Sequence, residues 1–415
     1  MRRGPAPYGT WTARVALLLA GALLLAPRDS AAAQSRTTPA PATNPLVSQA
    51  QRRGIERGLA WIAAAQQPGG HWGEEEGTKI ADTALSVLAL MAGGNTVGPG
   101  RAIRGPDGEI RAQGPPQLRG PYARQVLEGV RYLARKAWED VPGRPKGYIQ
   151  DDKVSRMHGH GFATLALAEA CGPLGGGDIA AIRRRLAQDG VDASQLSLSD
   201  QVRYGLQRAV DLTERAQDPD SGGWLYDPYP NGHEGSMTVT QIAALRAAQD
   251  VGVSVSGVVL RRACQYVRDS QVLESRELYG GFAYQKNARG RVSYALTAAA
   301  LTTFFGLGRY GIEKDDATLI ERGMNYLDDH FDEALHDTQW FYYGLFYGAQ
   351  AIYQDDNPRR LSQQWPRLRD RVLREQNADG SFDPVNNDRS REYATAMGCL
   401  ILQVPLETLP IFQRH

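Results

Sequence analysis

Cysteine is nearly absent from the chain: three residues in 415, Cys171, Cys264 and Cys399, with no Cys-x-x-Cys pair. An exported scaffold stapled by disulfides would carry more. The three lie far apart in apolar helical patterns and read as small buried core residues. A charge imbalance is absent too. Forty-seven Lys and Arg face 46 Asp and Glu, for a net charge of +1, so nothing favours nucleic acid or an anionic membrane as partner. The run Arg183-Arg184-Arg185 reads as a solvated helix face. Strand alternation is scarce, which excludes a large sheet. The longest apolar run, Val15 to Ala26, falls short of the roughly 20 residues that span a bilayer.

That run has a meaning of its own. It follows Arg2, Arg3 and Arg14, stops at Pro27, and is succeeded by Ala31-Ala32-Ala33 before Gln34. This pattern predicts a secretory signal peptide over 1–33. The mature chain is expected to begin near Gln34, in the periplasm or outside the cell, with no transmembrane span. Residues 34–48, polar and carrying Pro39, Pro41 and Pro45, read as a disordered linker.

Repeats dominate the remainder. Six helical hairpins follow one another over 49–415. Each pairs an amphipathic first helix with a second helix dominated by Ala, Thr and Leu. The first helices are Gly54 to Ala65, Gln125 to Trp138, Gln201 to Ala216, Val258 to Val272, Ala317 to Phe331 and Trp365 to Glu375. The second helices begin near Asp82, His160, Ser293, Gln339 and Glu392, and that of the third hairpin lies within Gly222 to Gln249. In the first helix of the chain Ile55, Leu59 and Ile62 recur at helical spacing against Glu56 and Arg57. The second helices are apolar on nearly every side and belong in an interior. Six inner helices inside six outer ones satisfy both patterns, so the predicted fold is all-α, a closed α/α toroid. An open solenoid is the alternative, and the number of units favours closure.

Four hairpins turn on glycine followed by an aromatic: Gly70 before Trp72, Gly222-Gly223 before Trp224, Gly280-Gly281 before Phe282, and Gly380 before Phe382. Glycine reaches positive φ at little cost, and the aromatics read as wedges between outer helices. The fifth hairpin has no such turn. Two insertions break the period. One, near 94–121, holds twelve Gly or Pro in 28 residues, and Arg101 to Arg111 within it is expected to turn a small hairpin around Pro106-Asp107-Gly108. The other, 172–200, carries an extra helix near Ile179 to Gln188.

These turns (QQPGGHWG, PDSGGWLYD, LYGGFAY and EQNADGSFD) resemble repeats of the prenyltransferase and squalene-oxidase type. The superfamily includes terpene cyclases, protein prenyltransferase β subunits and α-macroglobulin thioester domains. The segments HGHGFATLALAEAC, SMTVTQIAALRAAQD and EYATAMGCLILQVPLETLPIFQR are similar to a narrower group of secreted bacterial repeat proteins. The resemblance covers about Gln51 to Arg414 and implies a toroid. It does not imply a reaction, because one fold hosts unrelated functions.

The chemistry of the superfamily does not carry over. Class II cyclases use DxDD followed by Thr-Ala, and the nearest run is Lys79-Ile80-Ala81-Asp82-Thr83-Ala84, where Ala81 occupies the place of the acid. The zinc ligands of the prenyltransferases fall on Arg291, Ser293 and Ala394, none of which replaces them chemically. The thioester Cys-Gly-Glu-Gln is missing. No cofactor or metal is therefore called for.

Candidate site residues are the polar and aromatic groups at inner-helix starts, which converge on one mouth of a toroid with free N–H groups and positive dipole ends. They are Asp82, His158, His160, His233, Glu234, Tyr294, Trp340, Tyr342, Tyr343, Arg391, Glu392 and Tyr393. Asp82 and Glu392 are the candidates for a relocated catalytic acid. His158, His160, His233 and Glu234 could share a metal or acid–base site, or His160 caps its helix and His233 lies in a solvated loop. The aromatic run from Trp340 to Tyr343 could wall a cavity. Thr238 with Gln241 reads as a capping box. The expected function is binding of an apolar, isoprenoid-like ligand or of an exported partner protein. The alternatives are a divergent cyclase or prenyltransferase-type enzyme, and a scaffold that binds proteins on its outer helices.

Overall fold

Six apolar helices form a closed inner ring and six amphipathic helices surround it. The computed structural model describes residues 44–414 except 75–76, 105–109, 189–191, 307–315 and 387–389. The expected signal peptide and residues 34–43 of the expected linker lie outside the described residues. Asn44 to Ser48 belong to the same compact unit as the helices. Asn44 Nδ2 donates to the Pro405 carbonyl at 2.7 Å, and Val47 is buried, so this end of the expected linker is anchored to the toroid.

In chain order the helices are α1 (Gln49–Ala65), α2 (Lys79–Ala92), α3 (Ala123–Trp138), α4 (Arg156–Leu174), α5 (Ile179–Gln188), α6 (Leu198–Ala216), α7 (Gly235–Asp250), α8 (Gly257–Asp269), α9 (Tyr294–Phe305), α10 (Asp316–Asp329), α11 (Phe331–Ala334), α12 (Phe341–Gln354), α13 (Pro358–Arg374) and α14 (Arg391–Gln403). Going round, α2 packs on α4, α4 on α7, α7 on α9, α9 on α12 and α12 on α14, and α14 returns to α2. Outside, α1 meets both α13 and α14. The ring is closed and the open solenoid is excluded. The burial follows from the sequence. Every residue of α2 is buried. In α3, Val126, Val130, Leu133 and Ala137 face inward while Arg124, Arg131 and Arg135 face water. Each fully buried leucine or isoleucine contributes about 1.5–3 kcal/mol.

Recurring contacts tie the glycine turns to the next outer helix and to their own inner helix. First, Gly70, Gly147, Gly222, Gly280 and Gly380 all have positive φ, between +81° and +94°. A methyl on any of them would lie within 2.6 Å of a carbonyl oxygen, of Glu128, Arg208, Arg262, Arg322 and Arg57 respectively. Second, a glutamine amide bridges the turn to that helix. Gln66 donates to Gly70 and Gln125, Gln217 to Gly222 and Val259, Gln271 to Gly280 and Leu319, and Gln376 to Gly380 and Gly54. Third, the N–H of the aromatic donates to a threonine hydroxyl on the inner helix. The pairs are Trp72 with Thr83, Trp224 with Thr238, Phe282 with Thr297 and Phe382 with Thr395, at 3.0–3.2 Å. The aromatics are buried wedges, as expected. The second hairpin uses Gly147 and puts Ile149 and His160 in the last pair, with Ile149 N donating to His160 Nδ1 at 3.2 Å.

The bridges carry a measurable share of the stability. Replacing Gln217 by alanine removes a buried hydrogen bond to the Gly222 carbonyl and a part-buried one to the Val259 carbonyl, and a buried acceptor left unpaired costs about 1–3 kcal/mol. A loss of about 2–3 kcal/mol is expected in urea unfolding. Exposed Gln265, whose amide bonds only Asp269, should tolerate the same change within about 0.5 kcal/mol. Equal effects at the two positions would show the bridges to be incidental.

Several boundaries move. α4 starts at Arg156 and α13 at Pro358, earlier than the apolar pattern indicates. Thr238 and Gln241 form no capping box. Glu234 is the N-cap of α7 and accepts from the Ser236 and Met237 amides, while Gln241 donates to the Met157 carbonyl. The strand content is small but real. In the first insertion β1 (Thr96–Gly98) pairs with β4 (Gln117–Arg119), and β2 (Ala102–Arg104) with β3 (Ile110–Gln113). The β2–β3 pair accords with the expected hairpin, whose turn at Pro106-Asp107-Gly108 lies outside the described residues. A second hairpin joins β5 (Ala283–Gln285) to β6 (Ala288–Val292). All three cysteines are buried, as expected. Among the described residues no single helix is long and apolar enough to cross a membrane.

Candidate functional site

The inner helices all point their N-termini at one mouth, because each hairpin runs out on the outside and returns on the inside. A cavity of about 700 Å³ opens there, lined by first-turn or flanking residues of all six: Thr78, Ser155, Ser236, Ser293, Trp340 and Tyr393. Phe162 also lines a second cavity at the opposite mouth, so its ring separates the two. Tyr226, Tyr284 and Tyr343 supply aromatic wall, and Val154, Val292 and Leu296 aliphatic wall. The Tyr226 and Tyr284 hydroxyls share a hydrogen bond, and the Arg291 guanidinium lies 4.2 Å from the Tyr284 ring centroid.

One polar chain crosses this wall. The Ser236 hydroxyl lies 2.8 and 3.0 Å from the two Glu234 oxygens and 3.2 Å from His158 Nε2. Burial pushes the Glu234 carboxyl up to about 6, against the Ser236 hydroxyl and the Ser236 and Met237 amides. Glu234 is therefore ionised at neutral pH and accepts a hydrogen bond from the Ser236 hydroxyl. The hydrogen-bond network then assigns the His158 proton to Nε2, which donates to Ser236. Burial lowers the His158 pKa to about 4, so the ring is neutral and Nδ1 is left as an acceptor. A nucleophilic serine needs the opposite polarity, with its proton on the imidazole nitrogen. The chain positions an acceptor and does not activate a nucleophile.

Of the twelve candidates, His158, Trp340, Tyr343 and Tyr393 line the cavity. The others do not. His160 sits within α4 and plays the part that threonine plays in the other turns. Its Nε2 lies 2.9 Å from Thr213 Oγ1, and burial lowers its pKa to about 3. His233 Nδ1 pairs with the Tyr266 hydroxyl at 3.1 Å. His160 and His233 thus face other partners, and of the four residues only His158 and Glu234 meet, through Ser236. Among the described residues no group of three His, Cys, Asp or Glu is placed to hold a metal ion. Tyr342 donates to the Asp383 carbonyl at 3.1 Å. The buried Tyr294 hydroxyl abuts Gly348. Exposed Arg391 pairs with Asp383 at 2.7 Å. Glu392 lies off the cavity as well.

Asp82 has the electrostatics of an acid without the position of one. Burial pushes its carboxyl up to about 7, the Thr78 and Ser390 hydroxyls pull it down, and Glu392 and Asp152 push it further up. Oδ2 is buried and makes no hydrogen bond. It packs against Gly73, where a methyl would lie 2.3 Å away, and Asp82 is not among the cavity-lining residues. Sequence reasoning passed over Phe162, Tyr226, Ser236, Tyr284 and Arg291. Arg291 and Ser293 had been read only as failed zinc ligands, although their place beside an inner-helix start was the available signal.

No protein-family model matches the chain. No curated protein matches it. Solved structures do. The GH76A α-1,6-mannanase of Salegentibacter sp. HEL1_6 aligns at 10% identity over 86% of this chain and 99% of its own, with a TM-score of 0.52. A D-mannose isomerase aligns at 12% identity over 88% and 99%, with a TM-score of 0.53. The type II terpene cyclase MstE from Scytonema aligns at 13% identity over 87% and 100%, with a TM-score of 0.47. At these identities the likeness shows the fold alone: this chain is an α/α toroid.

Proposed function

We propose that this is an exported member of the prenyltransferase and squalene-oxidase repeat group that binds a ligand in its N-terminal mouth without turning it over. The ligand has an apolar, isoprenoid-like body and a small neutral head that donates a hydrogen bond. The 700 Å³ cavity carries the reading: its walls are aromatic and aliphatic, and the neutral imidazole of His158 stands among them. Few, placed polar groups in an apolar concavity are what fix a small molecule in orientation. Arg291 at the rim holds a charge outside the apolar body.

The enzyme alternatives lack a group in reach. Glycoside cleavage, as in the mannanase neighbour, uses two carboxyl groups, and no Asp or Glu is among the residues that line the cavity. A cyclase acid must touch its substrate, and Asp82 faces Gly73.

The test is extraction of the mature chain from Gln34 with organic solvent, followed by mass spectrometry. A co-purifying lipid is expected. Half-buried Leu296 lines the cavity, and Leu296→Trp fills it, so that variant should emerge without the lipid. Absence of lipid, together with no binding of added farnesol, overturns the reading.

A further inference from the structure

The inner helices end at the opposite mouth, where a second cavity of about 480 Å³ opens. Both insertions start on this rim, since Thr96 of the first and Gly172 of the second line it. The C-terminal segment from Thr408 to Gln413 crosses it. The walls are apolar, with Phe162, Leu165, Phe346 and Ile411 among them. One feature does not fit a packed core. Glu169 lies in the middle of the apolar run of α4, is 6% exposed, and lines this cavity. Neither of its carboxylate oxygens has a hydrogen-bond partner. The Ile411 amide acts on it without reaching hydrogen-bonding geometry.

A buried carboxyl with both oxygens bare is costly, and native chains leave few such groups unexplained. We infer that the C-terminal mouth is a second binding site, and that Glu169 receives an organic ammonium group carried on an apolar chain. The field there favours a cation. Six inner helices present C-terminal carbonyl ends, the negative end of the dipole, and Asp250 lines the same cavity. Arg246 lines it too, but its guanidinium lies against Gly306 and does not act on Glu169. Tyr347 of α12 is the remaining titratable group in the lining, and burial keeps its hydroxyl protonated, with its pKa pushed up to about 12. The apolar chain of the ligand lies along Phe162 and Phe346, and the ammonium donates to the two free oxygens. This site does not depend on the reading of the other mouth.

The probe is n-octylammonium, titrated calorimetrically into the mature chain at pH 7, with n-octanol and n-octanoate as comparisons. Saturable one-to-one binding of octylammonium is expected, at least tenfold weaker in Glu169→Gln and unchanged in Leu296→Trp, which blocks only the other mouth. Burial holds Glu169 protonated, at about 8, so binding must release close to one proton, read from titrations in buffers of different ionisation enthalpy. Thr302→Trp narrows the cavity from α9 with Glu169 in place and should weaken octylammonium as well. Absence of saturable binding, equal binding of octanol or octanoate, or affinity indifferent to both Glu169→Gln and Thr302→Trp overturns the inference.

Discussion

Replacing Gly380 by alanine costs the protein about 4 kcal/mol or more, or prevents folding. Two effects add at this position. Its φ of +94° is a conformation that side chains with a Cβ rarely adopt, worth roughly 1–3 kcal/mol. The added methyl would also lie 2.5 Å from the Arg57 carbonyl oxygen and 2.6 Å from its carbon. Those are backbone atoms of α1 and cannot swing aside, so the contact is relieved only by parting the last hairpin from the first helix. The ring would open where its two ends meet. Gly290 is the control, because nothing lies within 4 Å of a methyl placed there, and Gly290→Ala should leave urea unfolding unchanged. A Gly380→Ala protein as stable as the parent would contradict closure by this contact.

Glu169→Gln should have the opposite sign, stabilising the protein, and only at high pH. Burial, reinforced by Asp250, raises the Glu169 carboxyl from 4.5 to about 8. A raised folded-state pKa contributes stability that is present below 4.5 and is lost as pH rises through about 8. Between those limits the unfolded chain has released the proton and the folded chain has not. The neutral amide carries no such dependence. At pH 8 the variant is therefore expected to gain on the order of 3 kcal/mol over the parent, and near pH 4.5 the difference should close. His158 and His160, whose pKa values burial lowers to about 4 and about 3, weaken both proteins alike as pH falls below 6.5 and drop out of the comparison. Melting curves of the pair across this range are the measurement. A gain independent of pH would mean that Glu169 does not titrate as its burial requires. A group that destabilises the chain where it would be ionised fits a role in binding better than a role in packing.

Much of the ring was legible because it repeats. Glycine before an aromatic, and apolar helices after amphipathic ones, are local patterns and survive in the fold almost unchanged. The glutamines were not legible. Gln66, Gln217, Gln271 and Gln376 look like surface residues at helix ends, and only the neighbouring helix, distant in sequence for Gln376, makes them buried bridges. His160 was misread for a related reason. Thr83, Thr238, Thr297 and Thr395 lie 11, 14, 15 and 13 residues beyond the N–H they accept, and His160 lies 11 beyond Ile149. The register was there, but a histidine beside another histidine draws the eye to chemistry. In the aromatic run, Tyr343 and Tyr347, four residues apart, line the two cavities, whereas Tyr342 turns to Asp383. A helix with rings on every side does not disclose which one faces the axis. Glu169 carried a signal that went unused: one acid in the run LALAEAC, where every neighbour is small or apolar.

The cavity at the N-terminal mouth is the part of the account that decides function, and Trp340 reports on it. Its ring is 46% exposed and lines the cavity. Titrating the mature chain with farnesol while following tryptophan emission should give a saturable one-to-one blue shift, absent from Trp340→Phe and from Leu296→Trp, and unaffected by octylammonium. No saturable shift, or one that Leu296→Trp leaves intact, would contradict ligand binding at this mouth.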